Sequence, residues 1–129
     1  MLINLTNHPS KNWPPRQIKE AVQHYGTIAD IAFPQIDPQG NEAYIEHIAN
    51  EYLKKTLDLL RKDIKNTNNA VHIMGELTLC FALVALLQKR NITCLASTSK
   101  RVAKENDKGE KVSVFSFVKF RQYPNLCKV

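Results

Sequence analysis

Residues 70–101 read AVHIMGELTLCFALVALLQKRNITCLASTSKR, and this stretch decides the fold. AVHIM, 70–74, is a short and mostly apolar run, suited to a central strand covered on both faces. Gly75 and Glu76 form a tight junction. LTLCFALVALLQKR, 77–90, is apolar nearly all round, which marks a buried helix. ITCLA, 92–96, is the next strand, ending in Ser97, Thr98, Ser99, Lys100 and Arg101. A strand, a buried helix and a second strand make the repeating unit of a parallel sheet.

The pattern continues towards the N-terminus. Leu2, Ile3 and Leu5 open a strand over 2–6. Pro14 and Pro15 suit a helix start, where a missing N–H costs nothing. Ile18, Ala21, Val22 and Tyr25 then recur at helical spacing over 16–25, and Gly26 stops the helix. IADIAF, 28–33, is a second strand, followed by the loop PQIDPQGN. Asn41 caps a long helix over about 42–65, with an apolar stripe from Tyr44 through Leu60 to Ile64. Asn66–Asn69 is a turn cluster. Towards the C-terminus, DKGE, 107–110, reads as a hairpin turn between strands at 100–106 and 111–121. The order is β-α-β-α-β-α-β-β-β in one domain spanning 1–129. It predicts an α/β fold: a Rossmann-like, doubly wound and mainly parallel sheet with a C-terminal antiparallel β-hairpin.

The chain has 129 residues, of which 43% are hydrophobic, enough for an ordinary core. No basic start or small-residue cleavage site marks a signal peptide, and the longest apolar run is too short to span a membrane. Cys80, Cys94 and Cys127 are an odd number without a CxxC, which argues against a disulfide framework or a zinc site and predicts a reducing cytoplasm. Burial as small apolar groups suits Cys80 and Cys94. The net charge is +6, and residues 98–129 hold eight Lys/Arg against three Asp/Glu, leaving +1 for residues 1–97. Such a field suits an anionic partner, a nucleotide or nucleic acid, or else is a solubilising face.

In open α/β sheets, ligands bind outside the carboxyl ends of the strands, where strand order reverses. With order 2-1-3-4, three polar clusters fall at those exits: NLTNHPS (4–10), MGELT (74–78) and STSKR (97–101). The opposite edge receives HYG, NTNN and KRN, which read as helix stops. Ser97, Thr98 and Ser99 offer hydroxyls and successive amides, and Lys100 and Arg101 add positive charge, so the group suits phosphate oxygens. Gly75 permits close approach to a ligand or simply makes the turn. Glu76 sits where it favours the helix dipole. Asn4, polar within a strand, either bonds a ligand or braces the adjacent loop. His8 is the histidine at an exit: a general acid or base, a phosphate donor or a loop brace. His72, inside a strand, reads as a satisfied buried histidine. No spacing suggests a metal site, and GxGxxG, Walker and GxSxG sequences are absent, which disfavours ordinary NAD enzymes, P-loop ATPases and α/β hydrolases.

NLTNHPS, HIMGELT, CLASTSKR and a basic hairpin ending FVKFRQY resemble, in order and placement along nearly the whole chain, the small stand-alone CRISPR-associated proteins of type III systems. These carry a CARF-like Rossmannoid domain and include the ring nucleases. The resemblance implies a homodimer that binds a cyclic oligoadenylate, with cyclic tetra-adenylate expected, and damps antiviral signalling by linearising it. No cofactor or metal is implied. The ribose 2′-hydroxyl attacks the adjacent phosphodiester and leaves a 2′,3′-cyclic phosphate. On this reading Lys100 and Arg101 stabilise the extra charge, His8 transfers a proton, and Asn7, Ser10, Ser97, Thr98 and Ser99 hold phosphate or ribose, with Gly75 and Glu76 beside the ligand. Alternatives are a non-catalytic sensor or sponge of the same messenger, an accessory protein that binds nucleic acid through the basic hairpin, and an interaction domain without a ligand.

Overall fold

The computed structural model describes residues 1–63 and 68–126. Five strands form one sheet in the order β2-β1-β3-β4-β5: β1 (Leu2–Thr6), β2 (Ile28–Ala32), β3 (Ala70–Ile73), β4 (Thr93–Glu105) and β5 (Lys111–Gln122). The first four run parallel and β4–β5 is antiparallel. Among the described residues three α-helices join the sheet: α1 (Pro15–Tyr25), α2 (Glu42–Lys62) and α3 (Leu77–Gln88). The chain is therefore a mixed α/β protein with a mostly parallel sheet, as the sequence predicts at that level.

Most element ends fall within two residues of expectation, and two depart further. The second helix ends at Lys62 rather than near 65, with Asp63 as its cap. More consequentially, the expected fourth strand and first hairpin arm are one strand. Ser97–Arg101 is not a loop at a strand exit but the middle of β4, paired with Phe115–Phe120 of β5. Its amides are accordingly not a free phosphate cradle. Residues 64–67 of the expected helix end and turn cluster, and Cys127, lie outside the described residues.

Local chemistry accounts for the element ends. Asn41 Oδ1 accepts the Tyr44 amide at 3.0 Å and caps α2. Pro15 lies in the first turn of α1, and Gly26 ends it with φ 83°, which costs a glycine little. At the hairpin tip Gly109 has φ 76°, and Asn106 Oδ1 accepts the amides of Lys108 and Glu110.

The register aligns Leu2 with Ala70, and Ala70 with Thr93. Alternation then sends Ile3, Leu5, Val71, Ile73 and Cys94 to one face, beneath Leu53 of α2 and Leu79, Leu83 and Leu87 of α3. Leu2, Ala70 and Leu95 go to the other, beneath Ala21 of α1 and Trp13. Truncating a fully buried leucine such as Leu83 costs about 2–5 kcal/mol. Cys80 and Cys94 are buried, and desolvation pushes their thiols up to about 11 and about 12.

Candidate binding cavity

A cavity of about 450 Å³ opens at the carboxyl ends of β1 and β3, against the stretch of β4 that runs on past them. Asn7, His8, Gly75, Ser97, Thr98 and Ser99 line it, together with Trp13, Gln17, His72, Phe115 and Phe117. Six of the ten residues expected at the site thus meet there, drawn from three separate segments.

The other four stand elsewhere. Ser10 turns to Asp30 in the middle of β2: its hydroxyl donates at 2.7 Å and its amide at 3.0 Å. Glu76 caps α3, accepting the amides of Thr78 at 3.1 Å and Leu79 at 2.9 Å and the Thr78 hydroxyl. The Thr78 hydroxyl and then the two amides hold the Glu76 carboxyl below its ordinary range. Lys100 and Arg101 do not line the cavity. Strand alternation turns Lys100 to the opposite face from Ser97 and Ser99. Arg101 shares their face one step further out and donates from Nε to Ser113 Oγ at 2.9 Å.

Gly75 is required by packing. A Cβ there would lie 2.5 Å from the Phe33 ring, whose side chain is buried. The free edge it gives a ligand is secondary to that contact.

The segment after β1 is held by its own polar groups. Asn4 Nδ2 donates to the His8 carbonyl and to Asp30 Oδ1, both at 2.8 Å. Trp13 Nε1 donates to the same His8 carbonyl at 3.0 Å, and the His8 amide donates to Thr6 Oγ1. Burial acts to raise the Asp30 carboxyl, but hydrogen bonds from Asn4 and Ser10 outweigh it and hold the group below its ordinary value. Of the two readings of Asn4, the structure selects the brace. The loop backbone is fixed, and the exposed His8 imidazole is presented at the cavity.

The far wall depends on an irregularity. Between Thr98 and Ser99 the register steps from Lys119 to Phe117, so Val118 is an extra residue in β5. Without that bulge Phe117 and Phe120 would point to opposite faces. With it they turn the same way, their rings 5.1 Å apart, and Phe120 packs 6.0 Å from Trp13. Arg16 Nη1 reaches the Phe117 carbonyl at 3.4 Å and ties α1 to this wall.

His72 sits beneath, 2% exposed, with the Trp13 and Phe120 rings edge-on at 5.4 Å each. Its Nδ1 lies 2.9 Å from Asn4 Oδ1. Desolvation, then the charge of His8, pushes its pKa down to about 4. Its Nε2 is buried without a hydrogen-bond partner, so the histidine is buried but not satisfied, against expectation. Trp13, Gln17, His72, Phe115 and Phe117 are among the lining residues that sequence reasoning missed. Only the match of Asn4 with His72 across β1 and β3, 68 residues apart, could have revealed the polar pair.

A second, apolar groove of about 690 Å³ runs along α3 and shares Met74 and Gly75 with the cavity. Leu77 and Phe81 stand out on it, 83% and 79% exposed. Among the described residues no helix is long and apolar enough to cross a membrane.

The family model described as the uncharacterized protein MJ1673 family matches residues 1–121. No curated protein and no solved structure matched the chain.

Proposed function

The chain belongs to the MJ1673 family, and from the cavity we propose that it binds a cyclic oligoadenylate and linearises it as a metal-independent ring nuclease of the type III CRISPR-associated, CARF-like kind. The observation that carries this reading is the convergence of Asn7, His8 and Ser97–Ser99 with the aromatic rings of Trp13, Phe115 and Phe117 around one cavity. Hydroxyl, amide and imidazole groups suit phosphate and ribose, and flat apolar rings suit nucleobases. The volume falls within the span of small-molecule sites. Helices on both sheet faces and the order β2-β1-β3-β4 support the finer reading of the fold as doubly wound and Rossmann-like.

In the proposed reaction the 2′-oxygen forms a bond to the adjacent phosphorus as the bond to the 5′-oxygen breaks. The 2′-hydroxyl gives up its proton, and the departing 5′-oxygen gains one. His8 is the candidate for that transfer. Arg101, beyond Ser99 on the same face, and Arg16, at the Phe117 wall, are the candidate cations for the growing phosphate charge. Lys100 contributes to the positive field from the opposite face.

We assign the homodimer to the apolar surface of α3. Leu77 and Phe81 are exposed there, and the groove is continuous with the cavity through Met74 and Gly75. Two copies of one site suit a ring with repeated units.

The test is incubation of purified protein with cyclic tetra-adenylate and a chelator, followed by mass spectrometry of the products. Linear products ending in 2′,3′-cyclic phosphate are expected, and His8→Ala should slow their formation about 100-fold while binding persists. A bound but intact ring would leave the sensor or sponge, and no binding at all would sink both readings.

A further inference from the structure

His72 lines the cavity from beneath and is bonded through Nδ1 to Asn4. Asn4 Nδ2 donates to two groups that only accept, the His8 carbonyl and the Asp30 carboxylate. The amide orientation is thereby fixed, and Oδ1 faces His72. An amide oxygen only accepts, so the proton between them belongs to His72 Nδ1. In the neutral ring Nε2 then carries a bare lone pair. The Trp13 and Phe120 rings pack against the imidazole at 5.4 Å each and offer that nitrogen no hydrogen-bond donor. Nε2 is the buried side-chain nitrogen or oxygen left without a partner among the described residues, and it belongs to a residue that lines the cavity. A buried acceptor in that state invites a donor.

We infer that His72 determines base specificity: its Nε2 accepts a hydrogen bond from the exocyclic amine of an aminated purine seated against Trp13 and Phe117. The proposal rests on the nucleotide reading of the cavity and adds which part of the nucleotide goes deepest. A lone pair in an apolar surround repels phosphate, so the anionic part stays at the polar rim of His8 and Ser97–Ser99. Burial keeps the imidazole neutral at pH 7, which suits an acceptor and makes it a weak general base. Asp30, Asn4 and His72 form a chain of hydrogen bonds in which each member fixes the orientation of the next. Replacing the amine by the carbonyl of hypoxanthine sets two acceptors against each other.

The experiment uses full-length protein labelled with ¹⁵N-histidine and four ligands: adenosine 5′-monophosphate, inosine 5′-monophosphate, cyclic tetra-adenylate and cyclic tetra-inosinate. Affinities come from calorimetry. The His72 nitrogens are read by NMR before and during titration. The free protein should show Nδ1 protonated and Nε2 bare. Each adenine ligand should bind at least about tenfold more tightly than its inosine counterpart and shift the Nε2 signal while Nδ1 stays protonated. In His72→Phe the preference should vanish, and His72→Gln, which keeps an acceptor near the same place, should restore part of it. Equal affinity for adenine and inosine ligands in the wild-type protein, or a His72 signal unmoved at saturation, overturns the inference even if the ring is cut. An adenine preference with the monophosphates but no binding of the tetra-adenylate ring upholds His72 and overturns the ring nuclease. No binding of any of the four overturns both.

Discussion

His72 also links acidity to stability. In the folded protein its pKa lies at about 4, from an ordinary 6.5, because burial and then the His8 charge oppose protonation. The unfolded chain takes up that proton near 6.5, so between the two values it binds more protons than the folded one. Stability from this group is therefore intact above about pH 6.5, falls as the pH drops, and levels off below about 4. The full loss is about 3 kcal/mol. Asp30, also held low, loses its contribution further into acid, in a separate window. Urea midpoints at pH 7.5 and 4.5 test this: His72→Phe should flatten the fall between them, and equal slopes in the two proteins would refute it. The residue scale was half legible in the sequence. Asn7, His8 and Ser97–Ser99 were found because polar residues at strand exits stand out. His72 was not, because a histidine in a strand does not reveal which neighbour the register brings opposite it. That neighbour, Asn4, lies in a different strand.

At the scale of elements, the helices and the first three strands followed from periodicity and stop signals, with Leu2–Thr6 read without error. β4 did not. STSKR is polar and basic, and such a run reads as a loop when only local preference is weighed. In the fold β5 supplies its hydrogen bonds along the whole length, and both faces of the outer ribbon are largely open to water, so polar side chains cost nothing there. Nor does any local signal mark the bulge at Val118, which is a property of the pairing. Glu76, expected both to favour the helix dipole and to stand beside the ligand, caps α3 and does not line the cavity. Glu76→Ala should remove about 1 kcal/mol of stability through the loss of the α3 cap. The variant should melt lower yet bind nucleotide with wild-type affinity. A tenfold loss of affinity at unchanged stability would return Glu76 to the site.

Over the whole molecule, positive charge is gathered on the β4–β5 ribbon and apolar exposure on α3, so the two surfaces offer different partners different handles. The α3 surface serves self-association in the proposed dimer, and a charge at its centre should split it. Phe81→Glu should sediment as a monomer where the wild-type chain sediments as a dimer, with circular dichroism unchanged, because the side chain is 79% exposed. A monomeric wild-type protein would remove the dimer and leave the cavity to act alone. The charge asymmetry was legible from the sequence, because it needs no knowledge of pairing. The apolar face was not, because an all-apolar helix reads as wholly buried and only packing tells which of its leucines and phenylalanines are left over. The chain contains one tryptophan, and it is Trp13, packed against His72 and Phe120 at the cavity. Its intrinsic fluorescence therefore reports from the site alone. Occupancy, and the protonation of the imidazole beside it, can be followed optically on unlabelled protein, with no background from a second indole.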